Sequence, residues 1–228
     1  MVLSTPSGAV FDNTFETAAG SMEAGTSFAL ALDGVPAALV TCQHLFGPAG
    51  GLSKDVPIEL MSRFVSSVSV QDALGHAIHA RAGAAVLIPG ADASEPGRDL
   101  AAFPLEANPA LRPFTAGTAN KGERVYLAAR LRKGAPTSTW LFPAEHWGAD
   151  EDGTAMVKFD DPEIHLPGTS GAPVLNEQGE LVGMVVRFGK SSDVTVGTLL
   201  TAQTVEVMLR KADWPAPKKT GFLSRLFK

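Results

Sequence analysis

Cysteine is nearly absent from this chain. Cys42 is the only one in 228 residues, so no internal disulfide can form. That pattern fits a reducing compartment. Positive charge is not in excess either. The net charge is -5, which favours solubility and gives no general reason to bind nucleic acid. No run is long and apolar enough to span a bilayer as a helix. The start, Met1-Val2-Leu3-Ser4-Thr5-Pro6, has no basic segment leading into an apolar one, so it does not read as a secretory signal. The expectation is a cytoplasmic protein. A chain working outside the cytoplasm after signal removal would look the same.

What is present is a series of short apolar runs separated by turn chemistry. Hydrophobic residues make up 45%, with 23 glycines and 16 prolines to punctuate them. Residues 25–32 and 35–41 flank Asp33-Gly34, a hairpin signal. Residues 65–70, 84–88, 124–129 and 155–159 continue the strand pattern. A further hairpin turns at Asn176-Glu177-Gln178-Gly179. Helical spacing is scarcer. Ile58, Met61 and Phe64 predict a short helix over 57–64. Val205, Met208 and Leu209 predict one over 201–209, stopped before Trp214-Pro215. Such a chain suggests antiparallel barrels or sandwiches. Asp150-Glu151-Asp152-Gly153 and Asp160-Asp161-Pro162-Glu163 read as solvated turns, lacking the ordered spacing of a calcium loop.

The segment with the clearest chemistry is Gly168-Thr169-Ser170-Gly171-Ala172-Pro173. A serine becomes a nucleophile only when an imidazole can take its proton and a carboxylate orients that imidazole. Among five histidines, His44 stands where an apolar run ends, in Val40-Thr41-Cys42-Gln43-His44. His165 lies close before Ser170 and could line the site. Asp99 precedes the apolar segment Leu100-Ala101-Ala102-Phe103, whereas its rival Asp92 lies in a loop-like stretch. A metal set of Cys42, His44, His76 and His79 is a weaker alternative, because no one scaffold evidently carries those ligands.

These three segments, in this order, resemble the trypsin-like serine peptidases of the chymotrypsin fold. Val40-Thr41-Cys42-Gln43-His44 is similar to the family's segment around its base, Arg98-Asp99-Leu100-Ala101 to its acid segment, and Gly168-Thr169-Ser170-Gly171-Ala172-Pro173 to its nucleophile loop. The strand after that loop matches at Gly179-Glu180-Leu181-Val182-Gly183-Met184.

The resemblance implies an all-β fold of two six-stranded antiparallel β-barrels with a C-terminal helix. The divisions expected are an N-terminal extension (1–23), a first barrel carrying His44 and Asp99 (24–105), a linker (106–122), a second barrel carrying Ser170 (123–200), and a C-terminal helix with a basic–apolar tail (201–228).

It further implies a serine endopeptidase acting on peptide or protein substrates through an acyl-enzyme. Ser170 would be the nucleophile, His44 the general base and acid, and Asp99 the orienting acid. The N–H groups of Gly168 and Ser170 would form the oxyanion hole, a donor of this type being worth roughly 3 kcal/mol in the transition state. No cofactor or metal is implied. By the same resemblance Ile164, Val186 and Phe188 line the specificity pocket, and the absence of an acid at Ile164 implies a non-basic preference.

Two departures matter. Thr169 stands where secreted relatives carry the aspartate that pairs with a new N-terminus, so the same cleavage-driven maturation is not expected. Cys42 replaces an alanine and reads as a small buried hydrophobe. The alternative to an enzyme is a catalytically weak or inactive peptidase-like scaffold that binds protein. The tail Lys218-Lys219-Thr220-Gly221-Phe222-Leu223-Ser224-Arg225-Leu226-Phe227-Lys228 alternates basic and apolar residues. It offers a weak membrane or protein contact, against the plainer reading of a solvated terminus.

Overall fold

Alternating burial along short strands builds both halves of the molecule, as the period of two requires. The computed structural model describes residues 7–131, 140–191 and 193–216; the basic–apolar tail lies outside the described residues.

The first half is a single sheet. Its strands are β1 (Val10–Thr17), β2 (Gly20–Met22), β3 (Thr26–Leu30), β4 (Ala38–Thr41), β5 (Val65–Asp72), β6 (His79–Ala82) and β7 (Ala101–Pro104), with helix α1 (Ile58–Phe64) between β4 and β5. The order is β6-β5-β1-β3-β4-β7, with β2 paired on β1. In β5, Val65, Val68 and Val70 turn inward while Ser66, Ser69 and Gln71 lie toward solvent or partly so. Phe15, Phe46 and Phe103 are fully buried and meet one another, with ring centroids 4.9, 5.7 and 6.1 Å apart. Such aromatic pairs add about 1 kcal/mol each beyond their buried area.

The second half is a closed barrel of β8 (Arg124–Ala128), β9 (Leu141–Ala149), β10 (Thr154–Phe159), β11 (Pro173–Leu175), β12 (Leu181–Ser191) and β13 (Val194–Thr201). Its order is β10-β13-β12-β11-β8-β9. Closure removes free strand edges. In β9, Phe142, Ala144 and His146 are buried and alternate with exposed Pro143, Glu145 and Trp147. Helix α2 (Ala202–Arg210) follows β13 directly. Thr201 Oγ1 accepts the Thr204 N–H at 3.2 Å, capping its N-terminus. Val205, Met208 and Leu209 form its buried face.

The expectation of two closed six-stranded barrels is therefore corrected. One barrel is closed, and the other sheet is open with seven strands. Its two edge strands, β6 and β7, are four residues each. They approach through an isolated bridge between Ala82 and Leu105 and a bond from Gly83 N to Pro104 O at 2.9 Å. Glu106 N also donates to Arg81 O at 2.8 Å, so a few bonds cross the seam without forming a regular ladder; Pro104, at the end of β7, has no N–H to add to them.

Two of the connections between the halves are made largely by backbone hydrogen bonds. Phe114 exchanges bonds with the first sheet, accepting from Ala31 N at 3.0 Å and donating to Ala29 O at 2.9 Å. Leu181 of β12 then receives the chain, accepting from Gly117 N at 2.8 Å and donating to Thr115 O at 2.9 Å. The second connection is the Ser170–Gly171 turn, which lies against β3 and β4. A Cβ on Gly171 would stand 2.1 Å from the Thr26 carbonyl oxygen and 2.4 Å from Thr41 Oγ1, and its φ is +86°. Both the space and the left-handed backbone demand glycine. Gly171→Ala is expected to destabilise the protein by roughly 3 kcal/mol, from left-handed strain together with overpacking. Chemical denaturation measures this; a loss under 1 kcal/mol would show that the two halves do not depend on the contact.

Candidate functional site

The site lies where three loops meet. β4 ends at Thr41 and delivers Cys42 and His44, the latter in a short 3-10 turn (Gln43–Phe46). A second 3-10 turn (Pro96–Arg98) delivers Asp99 just before β7. The turn before β11 delivers Ser170.

His44 and Asp99 are joined twice. The His44 backbone N–H donates to Asp99 Oδ1 at 2.9 Å, and the ring Nδ1 meets Asp99 Oδ2 at 2.5 Å. With its proton on Nδ1 the imidazole is the donor, which fixes its tautomer and orientation. Asp99 is 1% exposed, and the His44 side chain is 18% exposed. One edge of the ring therefore remains open to solvent. Asp92 is occupied elsewhere, with Oδ1 accepting from Ser94 N and Ser94 Oγ at 2.9 and 2.7 Å.

Cys42 completes this cluster. Its sulfur, a His44 ring nitrogen and an Asp99 oxygen all lie within 4.8 Å of one another. The thiol is fully buried and donates to the Val185 carbonyl at 3.3 Å. Burial pushes the Cys42 thiol well above its ordinary pKa, the charge of Asp99 adding to this and a backbone hydrogen bond from Gly171 opposing it. A thiol held in its neutral form is neither a good nucleophile nor a good metal ligand. The short His44–Asp99 contact argues against a metal too. Two donors about 2 Å from a tetrahedral ion stand roughly 3.3 Å apart, whereas these atoms are at hydrogen-bond distance. His76 and His79 are exposed in the first sheet's β5–β6 region, outside this cluster.

Ser170 is half-buried in the turn that faces β3. Its carbonyl accepts from Thr26 N at 2.8 Å, and the Gly168 carbonyl accepts from Thr26 Oγ1 at 3.2 Å. Among the described residues, however, its hydroxyl makes no hydrogen bond to His44. The expected Ser170–His44–Asp99 serine peptidase is corrected on this point. The reactive groups that gather are Cys42, His44 and Asp99, and the serine is not engaged by the imidazole that would have to activate it.

The loop around Ser170 is otherwise well determined. Gly168 has φ +92°, which suits a residue without a side chain. Thr169 is fully buried, and both its N–H and its Oγ1–H donate to Leu166 O, at 3.0 and 2.8 Å. The threonine thus closes its own turn. The N–H groups of Gly168 and Ser170 make no backbone hydrogen bond among the described residues.

The pocket residues separate. Ile164 is buried in the barrel core and Val186 in the larger core cluster shared by both halves, while Phe188 is 43% exposed on the outer part of β12. The sequence reading did not foresee the bond from Arg187 Nη2 to Ser94 O at 2.6 Å, which ties β12 to the loop that leads to Asp99. Nor did it foresee His165 with a buried Nδ1 that has no partner among the described residues.

Residues 25–184 match the family model described as the trypsin-like peptidase domain. No curated protein matches the sequence. Three solved structures share the fold. The Rv3671c protease from M. tuberculosis, in its active form, is 21% identical over 94% of this chain and 85% of that one, with a TM-score of 0.54. The MamO protease domain from Magnetospirillum magneticum is 17% identical over 88% and 95%, with a TM-score of 0.52. The protease Anisep from Arthrobacter nicotinovorans is 13% identical over 91% and 97%, with a TM-score of 0.56. At these identities the likeness is one of fold.

The state of Cys42 is directly testable. Alkylation by iodoacetamide at pH 8.5 is expected to run at least about 100-fold slower in the folded protein than in denaturant, because thiolate and access are both scarce. Comparable rates in the two states would overturn the assignment of a buried neutral thiol.

Proposed function

Because the chain belongs to the trypsin-like peptidase domain family, we propose that it is a peptidase-like protein that binds peptide or protein chains beside His44 and turns them over weakly or not at all. The observation that carries this reading is the partnership of His44. Its Nδ1 is committed to Asp99, its nearest sulfur belongs to a buried neutral thiol, and no hydrogen bond joins it to Ser170 among the described residues. Neither candidate nucleophile is activated, so the covalent step of peptide hydrolysis lacks its first requirement.

Binding asks for less. The Gly168 and Ser170 N–H groups offer donors to a peptide carbonyl, and β12 runs beside them with its outer half exposed. An extended chain supplies matching carbonyls and N–H groups along its length. Of the three apolar residues, exposed Phe188 is the one that offers surface along this path, because Ile164 and Val186 are buried. The C-terminal tail, basic and apolar in sequence, would be a separate and weaker contact to a membrane or protein. No helix among the described residues is long and apolar enough to cross a membrane. A cytoplasmic setting remains our proposal from the single cysteine.

A fluorophosphonate probe distinguishes binding from turnover, because it marks only a serine made nucleophilic by its surroundings. The folded protein is expected to take up little label over hours, and Ser170→Ala (S170A) to be indistinguishable from it. Stoichiometric labelling within minutes, abolished by S170A, would overturn the proposal in favour of an active serine enzyme.

A further inference from the structure

We infer that Arg187 selects peptides carrying an acidic side chain, resting on the reading of the cleft beside His44 as a peptide-binding site. Arg187 lies on β12 two residues beyond Val185, whose carbonyl receives both the Cys42 thiol and the Gly171 N–H, the latter at 2.8 Å. It therefore stands at the edge of the site, on the exposed half of the strand. Its guanidinium reaches across to the other half of the molecule and donates through Nη2 to the Ser94 carbonyl at 2.6 Å. Ser94 is in the loop that leads to Asp99, so this contact spans the gap between the two walls of the cleft.

The contact leaves most of the guanidinium's capacity unused. Five N–H donors are available in a planar fork, and the hydrogen bond described goes to a neutral carbonyl. Among the described residues, no ion pair involves Arg187. The other basic groups of this strand and loop are spoken for: Lys190 Nζ meets Glu163 Oε1 at 2.9 Å, and Arg98 Nε donates to the Gly90 carbonyl. The acids of the loop do not neutralise it either. Asp92 is engaged by Ser94, Asp99 is buried on His44, and exposed Glu95 makes no ion pair among the described residues. A fixed positive charge at the mouth of a peptide site, unpaired by carboxylate, is complementary to glutamate or aspartate. A carboxylate that meets the free edge of the fork forms charge-assisted, bidentate bonds stronger than the carbonyl contact. The selection is electrostatic and lies in binding alone, with no covalent step.

The test uses fluorescein-labelled hexapeptide pools that differ only in glutamate or glutamine at one fixed position, with binding to the whole protein read by fluorescence anisotropy. For at least one position the glutamate pool is expected to bind about tenfold tighter than its glutamine counterpart, with the advantage falling as salt is raised. Arg187→Gln is expected to erase that advantage while leaving the glutamine pool unchanged, and Arg187→Glu to reverse it. Arg187 is exposed, so both variants should fold, which thermal melting checks. Equal binding of the two pools at every position, or equal losses of both in R187Q, overturns the role of Arg187 and leaves the peptide site standing. Failure of every pool to bind the folded wild-type protein overturns the site itself, and the inference with it.

Discussion

The structure depends on a contact of a few atoms, the seating of the Ser170–Gly171 turn on the ends of β3 and β4. Thr26 gives its N–H to Ser170 O, Thr41 gives its hydroxyl to Thr26 O, and Cys42 and Gly171 both donate to Val185 O. Every partner in this set has a buried polar group that would be costly to leave unpaired, roughly 1 to 3 kcal/mol each. The contact fixes the barrel against the open sheet. It sets the distance between the serine turn and the His44–Asp99 pair. It also explains the cysteine: a small side chain with one weak donor fits beneath Val185, and the same burial that makes it fit keeps it protonated.

From that seating follows the division between binding and chemistry. The imidazole is oriented by Asp99, and among the described residues the Gly168 and Ser170 N–H groups make no backbone bond and Arg187 makes no ion pair. In the proposed reading, these are the parts that would hold an extended chain. Among the described residues no hydrogen bond joins Ser170 to His44, and orientation of the imidazole alone does not supply that link. A peptidase fold of this kind can hold its ligand by the same surfaces that a working enzyme uses, because most of those contacts are made in the ground state and do not require the reaction.

Much of the secondary structure could be read along the chain. The helix over 201–209 appears as α2 (Ala202–Arg210), and that over 57–64 as α1 (Ile58–Phe64), because both carry an apolar stripe at helical spacing. The hairpin about Asp33-Gly34 appears as β3 and β4. β1 was hidden for a physical reason. Its sequence, Val-Phe-Asp-Asn-Thr-Phe-Glu-Thr, places Asn13 inside the sheet, where its side chain accepts from Ser27 and donates to Ala24 O at 3.4 Å. A buried asparagine satisfied by distant partners looks in sequence like a loop residue. The failure of the first sheet to close was hidden too, since it depends on how the β6 and β7 edges meet, through one isolated bridge and a few bonds. In the site, the order of His44, Asp99 and Ser170 is a matter of sequence. Whether a hydroxyl meets an imaginary line from Nε2 is a matter of side-chain geometry, and no motif encodes it. Thr169 lies between these cases: its inability to form an ion pair is evident from its identity, but its double bond to Leu166 O needed the fold.

The most direct test of the central claim is mass spectrometry of a peptide recovered after prolonged saturation of the protein. The account predicts that the peptide returns intact. New termini, produced by the wild-type protein and absent with S170A, would contradict it.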